Sequence, residues 1–261
     1  MKYSLMSGGK RIRPYLLLEF YSVCGGVDDI AMPFACALEM IHTYSLIHDD
    51  LPCMDDSDMR RGRPSNHTTF GEDFALLAGD GLLTKAFEVV SDVDVFDKCD
   101  AKSVLRCIYL LSKAAGVEGM IFGQEIDILS ENKILSEQEL QLMDQKKTGE
   151  LIIVAAMIGC TLAGVSESHM SAAKKYAEAV GLMFQIVDDI LDVTANSDEV
   201  GKPVGNDDKN NKSTYVSIYG LEKSKKKVYD LTNIAIGALN GFEGDVGGLK
   251  ELVKMLAERT S

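Results

Sequence analysis

The run His48-Asp49-Asp50-Leu51-Pro52-Cys53-Met54-Asp55-Asp56-Ser57-Asp58 places five carboxylates within ten residues, and Arg60-Arg61 follows at once. A second acidic group, Gln185 to Asp192, carries Asp188, Asp189 and Asp192. Carboxylates this dense repel one another unless a cation gathers them. Hard oxygen donors of this type suit magnesium, which takes one or two carboxylates and completes its shell with water and phosphate oxygens. Asp188 and Asp192 are four apart, so a helix puts them on one face about a turn apart. Each group alone also fits a solvated acidic helix end. Carboxylates near a helix C-terminus meet an unfavourable dipole, however, and two such groups on apolar helices favour the metal reading.

The basic residues supply the complement. Gly8-Gly9-Lys10-Arg11-Ile12-Arg13-Pro14 sets Lys10 and Arg13 after a flexible turn, as a phosphate clamp requires, and Arg60 and Arg61 close the first acidic run. Lys147-Thr148, Lys202 and Lys212 lie in other segments. Arginine offers phosphate a bidentate fork, and lysine a point charge. Any one of these residues reads as a solvated charge; the constellation reads as a site. His48 fits a capping or orienting role as well as a catalytic one, and His67 and His169 have no supporting cluster.

These segments resemble the trans-isoprenyl diphosphate synthases, in particular the bacterial farnesyl diphosphate synthase type. The matching stretches are Gly8–Pro14 (GGKRIRP), His42–Gly62 (HTYSLIHDDLPCMDDSDMRRG), Phe122–Asp127 (FGQEID), Lys147–Gly149 (KTG), Phe184–Asp192 (FQIVDDILD) and Gly201–Tyr215 (GKPVGNDDKNNKSTY), in the family's order. The resemblance implies an all-α bundle of about ten or more helices around a deep apolar cavity, usually a homodimer. It implies head-to-tail condensation of an allylic diphosphate with isopentenyl diphosphate. Carried over by motif, Asp49, Asp50 and Asp55 on one side and Asp188, Asp189 and Asp192 on the other hold magnesium, three ions in the closed complex. Arg60, Lys147, Thr148, Gln185 and Lys202 then face the allylic diphosphate, with Lys212 among the substrate-binding residues. Lys10, Arg13, His42 and Arg61 hold isopentenyl diphosphate. Metal and basic residues stabilise the departing diphosphate, the allylic cation is attacked by the double bond of isopentenyl diphosphate, and a proton is lost to the released diphosphate. No protein nucleophile is needed.

The resemblance also bears on product length. Tyr44 and Ser45 precede Asp49 by about one turn, roughly 6–7.5 Å along the helix. An aromatic five residues before the acidic motif, with the Asp-Asp-x4-Asp spacing seen here, implies a farnesyl product. Geranyl or geranylgeranyl products, or a catalytically silent partner subunit, are the alternatives. Such subunits commonly lose an Asp-rich motif, and both are present. A terpene cyclase would have no use for Lys10, Arg13 and Arg61 at a second diphosphate. The family usually carries some thirty residues before the stretch that begins here at Met1-Lys2-Tyr3-Ser4-Leu5, so the expectation is one domain over 1–261 without that segment.

A chain of 261 residues with 46% apolar and 26% charged residues suffices for a large helical core. The formal net charge of −13 opposes non-specific binding to nucleic acid or an anionic membrane. Six scattered cysteines without a CxxC pair read as reduced core or near-core thiols, which implies a cytoplasmic protein. Apolar periodicity predicts helices over Lys10–Cys24, Ile30–Ile47, Phe74–Val90 with interruptions at Gly79 and Gly81, Ala101–Ala115, Glu118–Leu129 and Met170–Val193. Ser136-x-x-Glu139 has the form of a capping box opening a long helix towards Gly164. Pro52 predicts a kink or an end within the acidic run, and Arg60 to Thr69 a loop. Asp49 and Asp55 are six apart, so a distortion at Pro52 is needed to bring both to one metal.

Overall fold

The computed structural model describes residues 1–92, 94, 99–131, 133–194 and 213–259. Its regular structure is almost wholly helical: α1 (Lys2–Leu5), α2 (Ile12–Val23), α3 (Ala31–Asp49), α4 (Asn66–Phe70), α5 (Glu72–Val90), α6 (Ala101–Ala115), α7 (Met120–Leu129), α8 (Glu137–Asp144), α9 (Glu150–Leu162), α10 (Glu167–Thr194), α11 (Tyr215–Tyr219), α12 (Leu221–Ala238) and α13 (Gly247–Glu258). The all-α expectation holds, and no described helix is long and apolar enough to cross a membrane.

Helix α9 is the axis of the bundle. It is apolar on nearly every face, the pattern of a helix enclosed by others, and it packs against α2, α3, α6 and α10. Gly159 lets α2 come close: a Cβ there would lie 2.4 Å from the Leu17 carbonyl oxygen. On one side α3 pairs with α5, and on the other α10 pairs with α12. Phe20 meets Tyr176 and Phe242 edge-on at ring separations of 5.3 and 5.8 Å, and the Tyr176 hydroxyl donates to the Leu249 carbonyl at 2.7 Å, fastening α13 to the core.

Several local expectations change. Helix α5 runs unbroken through Gly79 and Gly81, because packing against α3 outweighs the glycines' weak helix propensity. The segment after Arg60 is not a plain loop. Met59–Arg60 pairs antiparallel with Arg63–Pro64, and α4 follows. The hairpin turns at Arg61 and Gly62 with φ of 55° and 71°, the positive values a two-residue hairpin turn of this hand demands. Cys36 and Cys53 are exposed, so the thiols are not uniformly in or near the core. Ser136 and Glu139 do form the reciprocal capping box.

Candidate active site

Helix α3 stops at Asp49, as Pro52 requires, and the chain folds back on itself. The Asp55 N–H donates to the Asp49 carbonyl at 2.9 Å, and the Ser57 N–H to the Asp50 carbonyl at 3.2 Å. This return brings Asp55 near enough to raise the proton affinity of Asp49. Burial pushes the Asp49 carboxyl up first, the Lys147 ammonium opposes it, and the charge on Asp55 adds to the rise. A carboxylate under those pressures is one that an added cation would relieve. Asp50, by contrast, is already paired: Arg60 Nε donates to both of its oxygens at 2.9 and 3.2 Å, with Nη2 closing the fork. Asp50, Asp49 and Asp55 together hold the Arg60 guanidinium above its ordinary range against the effect of burial.

The Lys147-Thr148-Gly149 segment is a π-helical turn, Gln145–Gly149, between α8 and α9. Such single-turn bulges recur at functional sites. Here the reason is packing. A Cβ on Gly123 of α7 would lie 2.1 Å from the Lys147 backbone nitrogen, so the two backbones nearly touch. Lys147 Nζ donates to Asp127 at 2.6 Å and stands 3.9 Å from Asp49. Gln124 Nε2 donates to Asp49 at 2.7 Å. Lys147 and Thr148 line two cavities, one with Asp49 and the other with Gln185 and Asp189. They form the wall between the acidic segments.

A second charge environment lies beside the first. Arg13 is half-buried, its Nη1 lies 3.5 Å from His42 Nε2, and desolvation lowers its pKa to about 10. Desolvation and the charges of Arg13, Arg61, Arg60 and Arg11 hold His42 well below the usual histidine range, so its imidazole is neutral. The buried Glu39 is the counter-ion: Arg11 binds it, and Arg61 stands 4.0 Å away. Arg61 Nη1 donates to the Gly8 carbonyl at 2.5 Å, tying the hairpin to the glycine turn, and Lys10 rests over the Phe184 ring at 5.0 Å. Among the described residues, the non-glycine residues with positive φ are Arg11 in the glycine turn, Arg61 in the hairpin and Asp56 in the return after α3. Backbone strain is thus concentrated at the site.

The second acidic segment splits by role. Asp189 is buried, accepts from the Tyr215 N–H at 2.8 Å and from Gln185 at 3.1 Å, and anchors the start of α11. Asp188 is half-buried and stands 3.7 Å from Arg259. Asp192 is half-buried on the same helix. Lys202 and Lys212 lie outside the described residues. Below Asp49 opens a cavity of about 650 Å³ lined by Tyr44, Ser45, His48, Leu83, Met120 and Leu151 among others. Tyr44 is buried in its wall.

Sequence reasoning left Glu39, Arg11, Gln124 and Asp127 without roles. The signal for Glu39 was a single acid inside an otherwise apolar helix, and Gln124 and Asp127 lay within the FGQEID stretch.

A model of the polyprenyl synthetase family matches residues 1–247. The chain is 46% identical to the large subunit 1 of the heterodimeric geranylgeranyl pyrophosphate synthase of Arabidopsis thaliana, over 99% of this chain and 71% of that one. It is 44% identical to the farnesyl diphosphate synthase of Geobacillus stearothermophilus, over 99% and 87%. Among solved structures it is similar to a Helicobacter pylori geranyltransferase complexed with magnesium and isoprenyl diphosphate, with a TM-score of 0.82, 32% identity, and coverage of 98% of this chain and 83% of that one.

Proposed function

The chain belongs to the polyprenyl synthetase family, and from that premise we propose that it joins isopentenyl diphosphate to dimethylallyl or geranyl diphosphate, releasing diphosphate. The observation that carries this reading is the division of charge. Asp49, Asp55 and Lys147 form one group, and Arg13, His42 and Arg61 form a second beside it with Glu39 as counter-ion, while Arg13, His42, Asp49 and Lys147 line one continuous cavity. That pairing of charge supports two diphosphates side by side, one at each group.

The donor set fits magnesium. Among the described residues no three His, Cys, Asp or Glu side chains form a group that could hold an ion. Asp49, Asp55, Asp188 and Asp192 are instead suited to contributing single carboxylates, leaving positions for phosphate oxygens. Bound there, magnesium would neutralise charge building on the departing diphosphate. Lys147 and Arg60 act on the same charge, joined by Thr148, Gln185, Lys202 and Lys212. Neutral His42 can donate one hydrogen bond to isopentenyl diphosphate while Lys10, Arg13 and Arg61 supply its counter-charge. The cavity beneath holds the tail and excludes water from the allylic cation.

Tyr44 in the cavity wall favours a farnesyl product, made by a cytoplasmic homodimer. A geranylgeranyl product is the second reading, favoured by the similarity to the Arabidopsis thaliana subunit. Incubation with magnesium, isopentenyl diphosphate and each allylic primer, followed by identification of the prenyl products, tests both. No product from any primer would sink the prenyl-transfer reading. Asp188→Ala is expected to abolish turnover while melting near the parent's temperature.

A further inference from the structure

His48 takes no part in the two diphosphate sites, yet it is tightly placed. Helical spacing puts it on the face of Tyr44, and the two rings meet edge to face at 5.6 Å and 77°. Its Nε2 reaches the carbonyl oxygen of Leu76 on α5 at 3.1 Å. A carbonyl only accepts, so Nε2 carries the hydrogen. Asp80 Oδ1 stands 3.9 Å from the same nitrogen. The ring fits because residue 79 is glycine: a Cβ there would lie 2.0 Å from His48 Nε2. Tyr44, His48 and Asp80 all line the large cavity. Among the described residues the Tyr44 hydroxyl has no hydrogen-bond partner, so ring packing alone sets its orientation.

We propose that His48 is a positioning residue, braced between α3 and α5, that holds the Tyr44 ring across the cavity and so limits how far a growing prenyl chain descends. Gly79 supplies the space the imidazole needs. The inference rests on the prenyl-transfer reading above and adds a second determinant of product length. Without the brace the Tyr44 ring can swing aside, and the cavity accepts a further five-carbon unit.

The test compares the full chain with H48A, H48Q and G79A, each supplied with magnesium, isopentenyl diphosphate and geranyl diphosphate. The readout is the ratio of geranylgeranyl to farnesyl product. H48A and G79A are expected to raise it by roughly tenfold, the scale on which small changes in an apolar pocket discriminate. H48Q, which keeps a donor for the Leu76 carbonyl but loses the ring, is expected to raise it by about threefold. Slower turnover at an unchanged ratio would mean that His48 supports the fold only, and would overturn the proposal. Should H48A and G79A fail to fold, H48Q decides alone, and a parental ratio there overturns it. If the parent makes no prenyl product, the prenyl-transfer reading falls separately. The brace is then judged on the crystal structure of H48A or H48Q, where a Tyr44 ring in its parental rotamer overturns it.

Discussion

Arg13 and His42 show what substrate binding asks of single residues. Arg13 is half-buried, its Nε is buried without a hydrogen-bond partner, and Arg61 bears on it with like charge. Glu39 offsets part of this. Losing one partner of a buried ion pair is costly when the other charge is left uncompensated. Glu39 keeps Arg11 as its counter-charge, however, so an apolar replacement of Arg13 relieves its desolvation without orphaning the acid. Arg13→Met is therefore expected to raise the melting temperature of the ligand-free protein by about 2–4 °C, corresponding to ~1 kcal/mol, while weakening isopentenyl diphosphate binding more than roughly tenfold. Differential scanning calorimetry and isothermal titration measure the two effects, and a lower melting temperature would mean that the attraction of Glu39 dominates. His42 makes a pH prediction. Its folded pKa lies below the ordinary 6.5, so in acid the unfolded chain binds a proton that the native protein refuses. Stability contributed by the neutral ring is present above pH 6.5 and falls as pH drops below it, by up to about 1.4 kcal/mol per pH unit. In urea melts between pH 7 and 5, His42→Gln is expected to lose stability less steeply than the parent. Arg13 and His42 were legible as site residues from their motifs, but the desolvation that shifts their proton affinities was not. Nor was Glu39, which acts on Arg13 from the middle of α3.

At the scale of elements, the capping box at Ser136 and the end of α3 before Pro52 were written in local chemistry, and both appear as read. The π turn was not. A single extra residue in a helical turn leaves apolar periodicity almost unchanged, so Glu137 to Leu162 reads as one helix until its packing is seen. Its cause lies elsewhere in the chain, where Gly123 lets α7 press against the Lys147 backbone. The continuity of α5 was likewise hidden, since Gly79 looks like a helix breaker until His48 is found in the space it leaves. Gly123→Ala should drive a methyl into the Lys147 backbone, costing about 1–3 kcal/mol of stability by overpacking. The same shift should move Lys147 from Asp49 and Asp127. We expect a lower melting temperature together with a KM for the allylic substrate raised more than the KM for isopentenyl diphosphate. Equal effects on both would mean that the two diphosphate environments are not independently built.

For the whole molecule, the net charge of −13 opposes any anionic ligand. Attraction must come from local charge, and the two environments achieve it differently. The arginine and histidine cluster carries its own positive charge, whereas the acidic segments need an added cation. The order of the motifs along the chain made this two-part plan readable. The distances between α3, the π turn and α10 were not, because they follow from packing around α9. A consequence separates this arrangement from a preformed metal cage. With single carboxylates as ligands, magnesium alone gains few contacts, and inorganic diphosphate alone meets Asp49 and Asp55 as like charges. Together each completes the other's surroundings. Thermal melts with magnesium alone and with diphosphate alone should therefore show small shifts, and with both a shift well above their sum. A ligand pair at a hundredfold excess over its Kd adds about 2.7 kcal/mol, roughly 5–10 °C for a chain of this size. Asp188→Ala should reduce the joint shift and leave either single-ligand shift in place. Additive shifts in the parent would instead mean that metal and diphosphate bind without reference to one another, and that the two acidic segments do not share a cation.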